Sequence, residues 1–284
     1  MSKRFSVAFV LLGLAFLASP TVAQKTGKPQ KTGKSPFPDK ALETAVRVEV
    51  QEPSADLTDQ KLSASLFFLR ADKKGIRDLT GLEKGKPLAE IKLSNNQIVD
   101  LKPLKELANL QSLDLAGNQL VDLTPLGGLT KLQYLELSNN KIAKIDSLAG
   151  LTSLMSLYLG GNQISDLAPL TKLTRLSSLS LPRNQIRDLA PLASVNRLMT
   201  LDLSDNQISD LAPLTKQTEV TLLMLERNKI TDLTPLLAWA KADAEGPKRF
   251  APYLRLYLRG NPLSDAAKTE QLKALKGYGV RVDF

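Results

Sequence analysis

Asp114 and Glu136 are the residues in this sequence whose types and spacing come closest to catalysis. They stand 22 residues apart, at the same place in a repeated pattern. On adjacent parallel strands they would sit about 5 Å apart, the carboxyl separation at which retaining glycosidases work. No sequence feature supplies a water-excluding cleft around them, and Lys92, one period before Asp114, suggests a simple charge ladder. Composition closes other routes. The chain has no Cys and no His, which removes disulfides, thiol nucleophiles, Cys/His zinc sites and the histidine of a Ser-His-Asp triad. A calcium ladder is the other candidate, from the acid column Asp78, Asp100, Asp122, Asp166, Asp188, Asp210 and Asp232. Each of these acids precedes a Leu and a turn, where an Asp side chain satisfies free backbone N–H groups. Lys144 and Ser147 interrupt the pattern in the unit of Asn140, which a shared metal ladder would tolerate poorly. The expectation is therefore no catalytic residue, no metal and no cofactor: not an enzyme.

The elements that position these side chains follow from the repeat. Asn96, Asn118, Asn140, Asn162, Asn184, Asn206 and Asn228 recur every 22 residues, and Asn261 resumes the frame after an 11-residue insertion. In the unit of Asn162, Leu154, Leu157 and Leu159 precede the Asn, while Ile164, Asp166, Leu167, Pro169, Leu170 and Leu173 follow it. Upstream, Leu66, Leu69 and Ile76 keep the frame with Lys74 in the Asn position. In L-x-x-L-x-L the last two leucines lie on one face of a short strand. The Asn turns the chain, and its amide can bond backbone groups of neighbouring coils. Pro fits the first position of a helical turn on the return side. One unit cannot bury so much Leu alone, whereas stacked units share one core, so the spacing predicts a solenoid of about nine coils.

The net charge of +9 divides unevenly along the chain. Residues 24–40 carry +4, and the 244 residues after them only +3. A nearly neutral body argues against nucleic acid as a partner. The first residues read as a signal peptide over 1–23: Lys3 and Arg4, an apolar run of 14 residues from Phe5 to Ala18, Pro20, then Thr21, Val22 and Ala23 before the cut. That run is shorter than the roughly 20 residues of a membrane span. The stretch 24–40 reads as a basic flexible linker that adds weak attraction to an acidic surface.

With its N-x-I-x-D-L-x-P-L return segment, the chain resembles the bacterial leucine-rich-repeat proteins of the internalin type over about residues 37–284. The resemblance implies an α/β fold: a right-handed horseshoe with parallel strands on the concave face and short helical turns on the convex face. It extends to the ends. Phe37-Pro38-Asp39, Leu42 and Ala45-Val46-Arg47 resemble a helical N-terminal cap, assigned to 41–65. The repeats take 66–263, and 264–284 resembles a C-terminal cap, with Ser264 as the N-cap of a helix Asp265–Lys276 and Gly277 as its stop. The insertion near 237–250 predicts an extra helix, and its Trp239 either packs that helix on the convex side or stands in a protruding contact loop. Internalins commonly carry a surface anchor. This sequence has no LPxTG-like sorting signal, and the expectation is a freely secreted or periplasmic monomer.

Function in such a solenoid belongs where the repeat does not dictate the residue, on the outward strand positions. Two patches stand out there: Tyr134, Glu136 and Tyr158 on central coils, and Leu222, Met224, Arg255 and Tyr257 near the insertion. Tyr buries area while keeping a polar tip, which suits it to contacts. Ordinary solvated surface is the competing account of both patches. The Asn column is read as structural. The leading expectation is non-catalytic recognition of a protein on the concave face. The alternative is binding of wall or surface polysaccharide assisted by the basic tail.

Overall fold

The computed structural model describes residues 33–284. The expected signal peptide and the linker up to residue 32 lie outside the described residues. Ten strands of three residues each form one parallel sheet in sequence order, from β1 (Phe68–Arg70) to β10 (Arg281–Asp283). In each repeat strand the middle residue is buried and its neighbours face outward. In β3 (Ser112–Asp114), β4 (Tyr134–Glu136) and β5 (Ser156–Tyr158), Leu113, Leu135 and Leu157 align in register. The strands β6 (Ser178–Ser180), β7 (Thr200–Asp202), β8 (Leu222–Met224) and β9 (Arg255–Tyr257) continue the series. The return segments are short 3-10 turns, five of them carrying Pro beside the first position as in Lys102–Leu104 and Ala168–Lys172. The interior is one continuous cluster of Leu and Ile, nearly all fully buried.

Two side-chain columns hold the coils in place. Asn162 Oδ1 accepts from the Ile142 N–H at 3.1 Å, while its Nδ2 donates to the carbonyls of Leu137 (3.1 Å) and Leu159 (2.9 Å). One amide thus ties its own coil to the preceding one, and the other ladder Asn residues do the same. The acid column is local. Asp100, Asp166 and Asp188 each accept from the backbone N–H two residues on, at 2.8–2.9 Å, which satisfies the start of the following turn. A third column was not legible in the sequence. The residue before each ladder position takes a left-handed backbone, with φ of 52–74° from Lys73 through Gly161 and Arg183 to Gly260. At Gly161 a Cβ would meet Asn139 Oδ1 at 2.6 Å, so a larger residue there would have to displace that side chain.

The ends differ from expectation in three places. The linker assigned to 24–40 is packed from residue 33 onward: Gly33 N–H donates to Ser54 O, Lys34 N–H donates to Asp56, and Phe37 is buried in the core. The physical reason is the aromatic, which seats against Gly81, where φ is 102° and a Cβ would meet its ring. Asp39 caps α1 (Lys40–Glu49) by accepting from the N–H groups of Ala41 and Leu42, and its other oxygen accepts from Arg77 of the first repeat. A second helix, α2 (Asp59–Ser65), leads into β1. At the far end, helical turns run over 265–277 with a wide π-type turn at Ala267–Gln271, and Ser264 Oγ accepts from Ala267 N–H. The left-handed glycine that ends them is Gly279 (φ 90°), not Gly277, and it leads into β10, a tenth strand beside the nine coils.

The insertion is helical: α3 (Thr234–Glu245) replaces a 3-10 turn. Trp239 is buried, stacks on Phe250 at 4.1 Å, and donates its indole N–H to Gln217 O at 2.8 Å. It is a packing residue, not a loop contact. Beneath it Gln217 occupies a column filled by Leu151, Leu173 and Val195 in earlier coils. It is 1% exposed, and its Oε1 has no partner among the described residues. Its Nε2 donates to Leu192 O, which the Val195 N–H already serves. Replacing Gln217 with Leu removes the orphaned acceptor without orphaning another group. The expected gain is about 1–2 kcal/mol, a rise of roughly 2–6 °C in Tm, read by thermal unfolding. A lower Tm would mean that this glutamine contributes something beyond its visible bonds.

Candidate functional site

Both predicted patches lie on the open face of the sheet. On β4, Tyr134 and Glu136 project outward around Leu135, and on β5, Ser156 and Tyr158 do so around Leu157. Parallel register sets Tyr134 beside Ser156, Glu136 beside Tyr158, and Asp114 on the other flank of Glu136. The two tyrosine rings stand 5.5 Å apart between centroids, inclined by 45°. Ser156, in register with Tyr134 and two residues before Tyr158, is only 9% exposed, and its hydroxyl makes no hydrogen bond among the described residues. Ser112 and Ser178 fill the same column, so residue type alone does not single out Ser156.

The carboxylates are half-buried, and neither forms an ion pair with a Lys or Arg among the described residues. Each accepts one backbone bond, Asp114 from Ala116 N–H at 3.0 Å and Glu136 from Ser138 N–H at 2.7 Å. Burial raises the Glu136 carboxyl above its ordinary range; the Ser138 bonds oppose this and the Asp114 charge adds to it. Burial likewise raises Asp114, with repulsion from Asp72 adding to it and the Ala116 bond and the Lys92 charge opposing it. The Tyr134 phenol is pushed far up, first by burial and then by Glu136 and Asp114. The charge ladder expected from Lys92 is not formed as a contact, because Lys92 Nζ sits 3.3 Å from Glu90, which also holds Arg70. Ionised carboxylates here lie side by side on an open face, an arrangement suited to receiving a cation more than to moving protons in a dry cleft.

The second patch also assembles. Leu222 lies beside Arg255 and Met224 beside Tyr257, followed by Arg281 and Asp283 of β10. Between the two patches, β6 and β7 present the shorter side chains Ser178, Ser180, Thr200 and Asp202. The outward face thus carries two prominent ends about 14 Å apart with lower ground between them, at about 4.8 Å per strand. Among the described residues no three Asp or Glu side chains gather as a metal ion would need, and no helix is long and apolar enough to cross a membrane.

Models of leucine-rich repeats match residues 88–128, 108–150, 130–170 and 152–194, and a single-repeat model matches 195–211. No curated protein matches the chain. Among solved structures, internalin C2 of Listeria monocytogenes is 35% identical, with a TM-score of 0.68 over 74% of this chain and 95% of its own. Internalin InlF of the same species is 25% identical, with a TM-score of 0.66 over 88% of this chain and 93% of its own. More distantly, the repeat ectodomain of the Arabidopsis thaliana receptor kinase GASSHO1/SCHENGEN3 was solved in complex with Casparian strip integrity factor 2. It is 26% identical, with a TM-score of 0.52 over 72% of this chain and 24% of its own. Such repeat domains are in general modules for protein–protein interaction. The 22-residue coil, the Asn ladder, and a likeness to internalin C2 spanning nearly that whole protein lead to one conclusion: the chain belongs to the internalin-like family of leucine-rich-repeat proteins.

Proposed function

We propose that this chain is a non-catalytic recognition module that binds a protein on the open, concave face of its sheet, acting as a monomer in the secreted or periplasmic space. The observation that carries the reading is the central cluster of Tyr134, Tyr158 and Glu136, where aromatic area and uncompensated charge coincide at positions the repeat leaves free. Aromatic residues in packed, central positions are the usual energetic anchors of an interface. The plant receptor ectodomain, with its bound factor, supports the use of this fold for protein ligands. The second patch, Leu222, Met224, Arg255 and Tyr257, supplies a further contact about three strands away. Export rests on Lys3, Arg4 and the apolar run after them.

The test is affinity capture from surface and extracellular extracts, with the full chain beside a Tyr134→Ala/Glu136→Ala/Tyr158→Ala variant of the same folded content. Partner binding is expected to weaken by about thirtyfold or more, the equivalent of one interface hot spot at about 2 kcal/mol. Equal capture by both proteins would move the site off this patch. Salt-sensitive retention of wall or surface polysaccharide, lost on removing residues 24–32, would replace the protein reading with the glycan one.

A further inference from the structure

The central cluster is specific enough to name the chemistry it receives. Asp114 and Glu136 are register partners on adjacent strands, so their carboxyl groups leave the sheet on the same side about 4.8 Å apart at the backbone. Each spends one oxygen on a backbone N–H: Asp114 Oδ1 on Ala116 and Glu136 Oε1 on Ser138. Asp114 Oδ2 accepts no hydrogen bond from the described residues, and beside Glu136 only the Ser138 hydroxyl adds to the backbone bond. The nearest candidate cation, Lys92, is held by Glu90, and no Lys or Arg of the described residues lies within salt-bridge distance of either carboxylate. Two like charges stand side by side, half removed from water, with Lys92 easing Asp114 only from beyond contact distance, and this is an electrostatic cost that the fold relieves only in part. Beside them stand the two inclined tyrosine rings, whose faces attract cations. Ser156, in register with Tyr134 and about nine-tenths buried, keeps a hydroxyl with no partner among the described residues.

Charge, ring faces and a free hydroxyl converge on one ligand shape. A guanidinium is planar, donates through a fork that fits two carboxylate oxygens, and stacks on aromatic faces. An ammonium meets the charge but not the plane. We propose that Asp114, Glu136, Tyr134 and Tyr158, with Ser156 at the base, form a receptor for the guanidinium of an arginine side chain on the partner protein, an inference that rests on open-face recognition.

The test uses the full chain and a probe of defined structure, the peptide acetyl-Gly-Arg-Gly-amide. Its lysine counterpart and its citrulline counterpart, which is isosteric but neutral, serve as comparisons. The readout is the ring resonances of Tyr134 and Tyr158, assigned through single Tyr→Phe variants. The arginine peptide is expected to shift both rings saturably, with a dissociation constant in the millimolar range. The lysine peptide is expected to bind several-fold more weakly, and the citrulline peptide at least tenfold more weakly. Glu136→Gln and Asp114→Asn should each weaken the arginine peptide about tenfold while the chain keeps its thermal stability. Equal shifts from arginine and citrulline, no saturable shift, or full binding by the Asp114→Asn/Glu136→Gln double variant would each overturn the inference. The parent reading fails differently. A captured partner that binds the triple alanine variant as well as it binds the unaltered chain removes open-face recognition. A partner lost by that variant but kept by Asp114→Asn/Glu136→Gln removes only the guanidinium.

Discussion

Asn162→Ala is expected to lower stability by about 2–6 kcal/mol, and Asn140→Ala/Asn162→Ala by more than the sum of the two single changes. The first figure follows from what one amide serves. Asn162 Oδ1 is the sole acceptor for the buried Ile142 N–H, so its removal leaves that donor orphaned at a cost of about 1–3 kcal/mol. The two carbonyls bonded by its Nδ2 are not orphaned. Leu137 O still accepts from Asn140, and Leu159 O still accepts from Asn184. Those lost bonds contribute about 0.5–1.5 kcal/mol each. The second figure follows from the same sharing. With Asn140 and Asn162 both gone, Leu137 O has no donor left, and the penalty for a buried orphaned acceptor arrives only in the double variant. A coupling of about 1–3 kcal/mol is therefore expected for that neighbouring pair. Asn118 and Asn162 share no carbonyl, since the former serves Leu93 and Leu115, and their double variant should be additive within about 0.5 kcal/mol. Denaturant unfolding of the three single and two double variants decides it. Coupling of equal size in both pairs would mean that the ladder acts through general loosening of the coils, not through shared carbonyls.

That distinction marks how far the sequence reached. Leucines two apart around a free position are enough to give the strands, the outward columns and the register, because a parallel coil of fixed length puts equivalent residues side by side. The Asn and Asp columns were legible as structure for the same reason. Their residue types suit a turn and a helical start, and they recur with the turn except where Lys74 and Lys144 stand in for them. The left-handed column before each Asn was hidden because Lys73, Arg183 and Arg227 stand in it beside Gly and Asn, and no rule of residue type picks out an arginine at positive φ. Arg227 is held there by two bonds to Asp205, one coil back. At the site, the sequence placed the tyrosines and Glu136 together. It could not show that Lys92 turns to Glu90 and leaves Asp114 without a contact partner, since side-chain choice between two nearby acids depends on rotamers, not on spacing. The burial of Ser156 depends on ring positions in the same way.

The N-terminal segment gives the other large effect, and it should be local. Arg47 is 6% exposed and gathers Glu43 and the carbonyls of Gly33, Glu52 and Ala55 around one guanidinium. Arg47→Met keeps much of the stem but leaves the Glu43 carboxylate, itself buried, with Lys40 alone. Breaking a buried pair from one side costs about 3–5 kcal/mol. In a solenoid each unit touches only its neighbours, so that loss should fall on α1 and the chain packed over it, not on the central coils. Amides of α1 are expected to exchange at least about a hundredfold faster, at about 1.4 kcal/mol per tenfold, while those of β5 and β6 keep their protection. Glu43→Gln/Arg47→Met should recover part of the loss by removing the stranded charge. Acid reaches the same contact from the other side. Burial alone would raise the Glu43 carboxyl, but Lys40 and Arg47 override it and hold it below its ordinary value of 4.5. Its contribution is therefore complete above that ordinary value and fades as pH falls through the lower folded one. Protection of α1 in the unaltered chain should drop below about pH 4, in the range of free carboxylates, and in Arg47→Met this acid step should shrink because the charge it titrates is no longer paired. A uniform loss of protection along all coils in Arg47→Met would show instead that the terminal helix sets the stability of the whole stack.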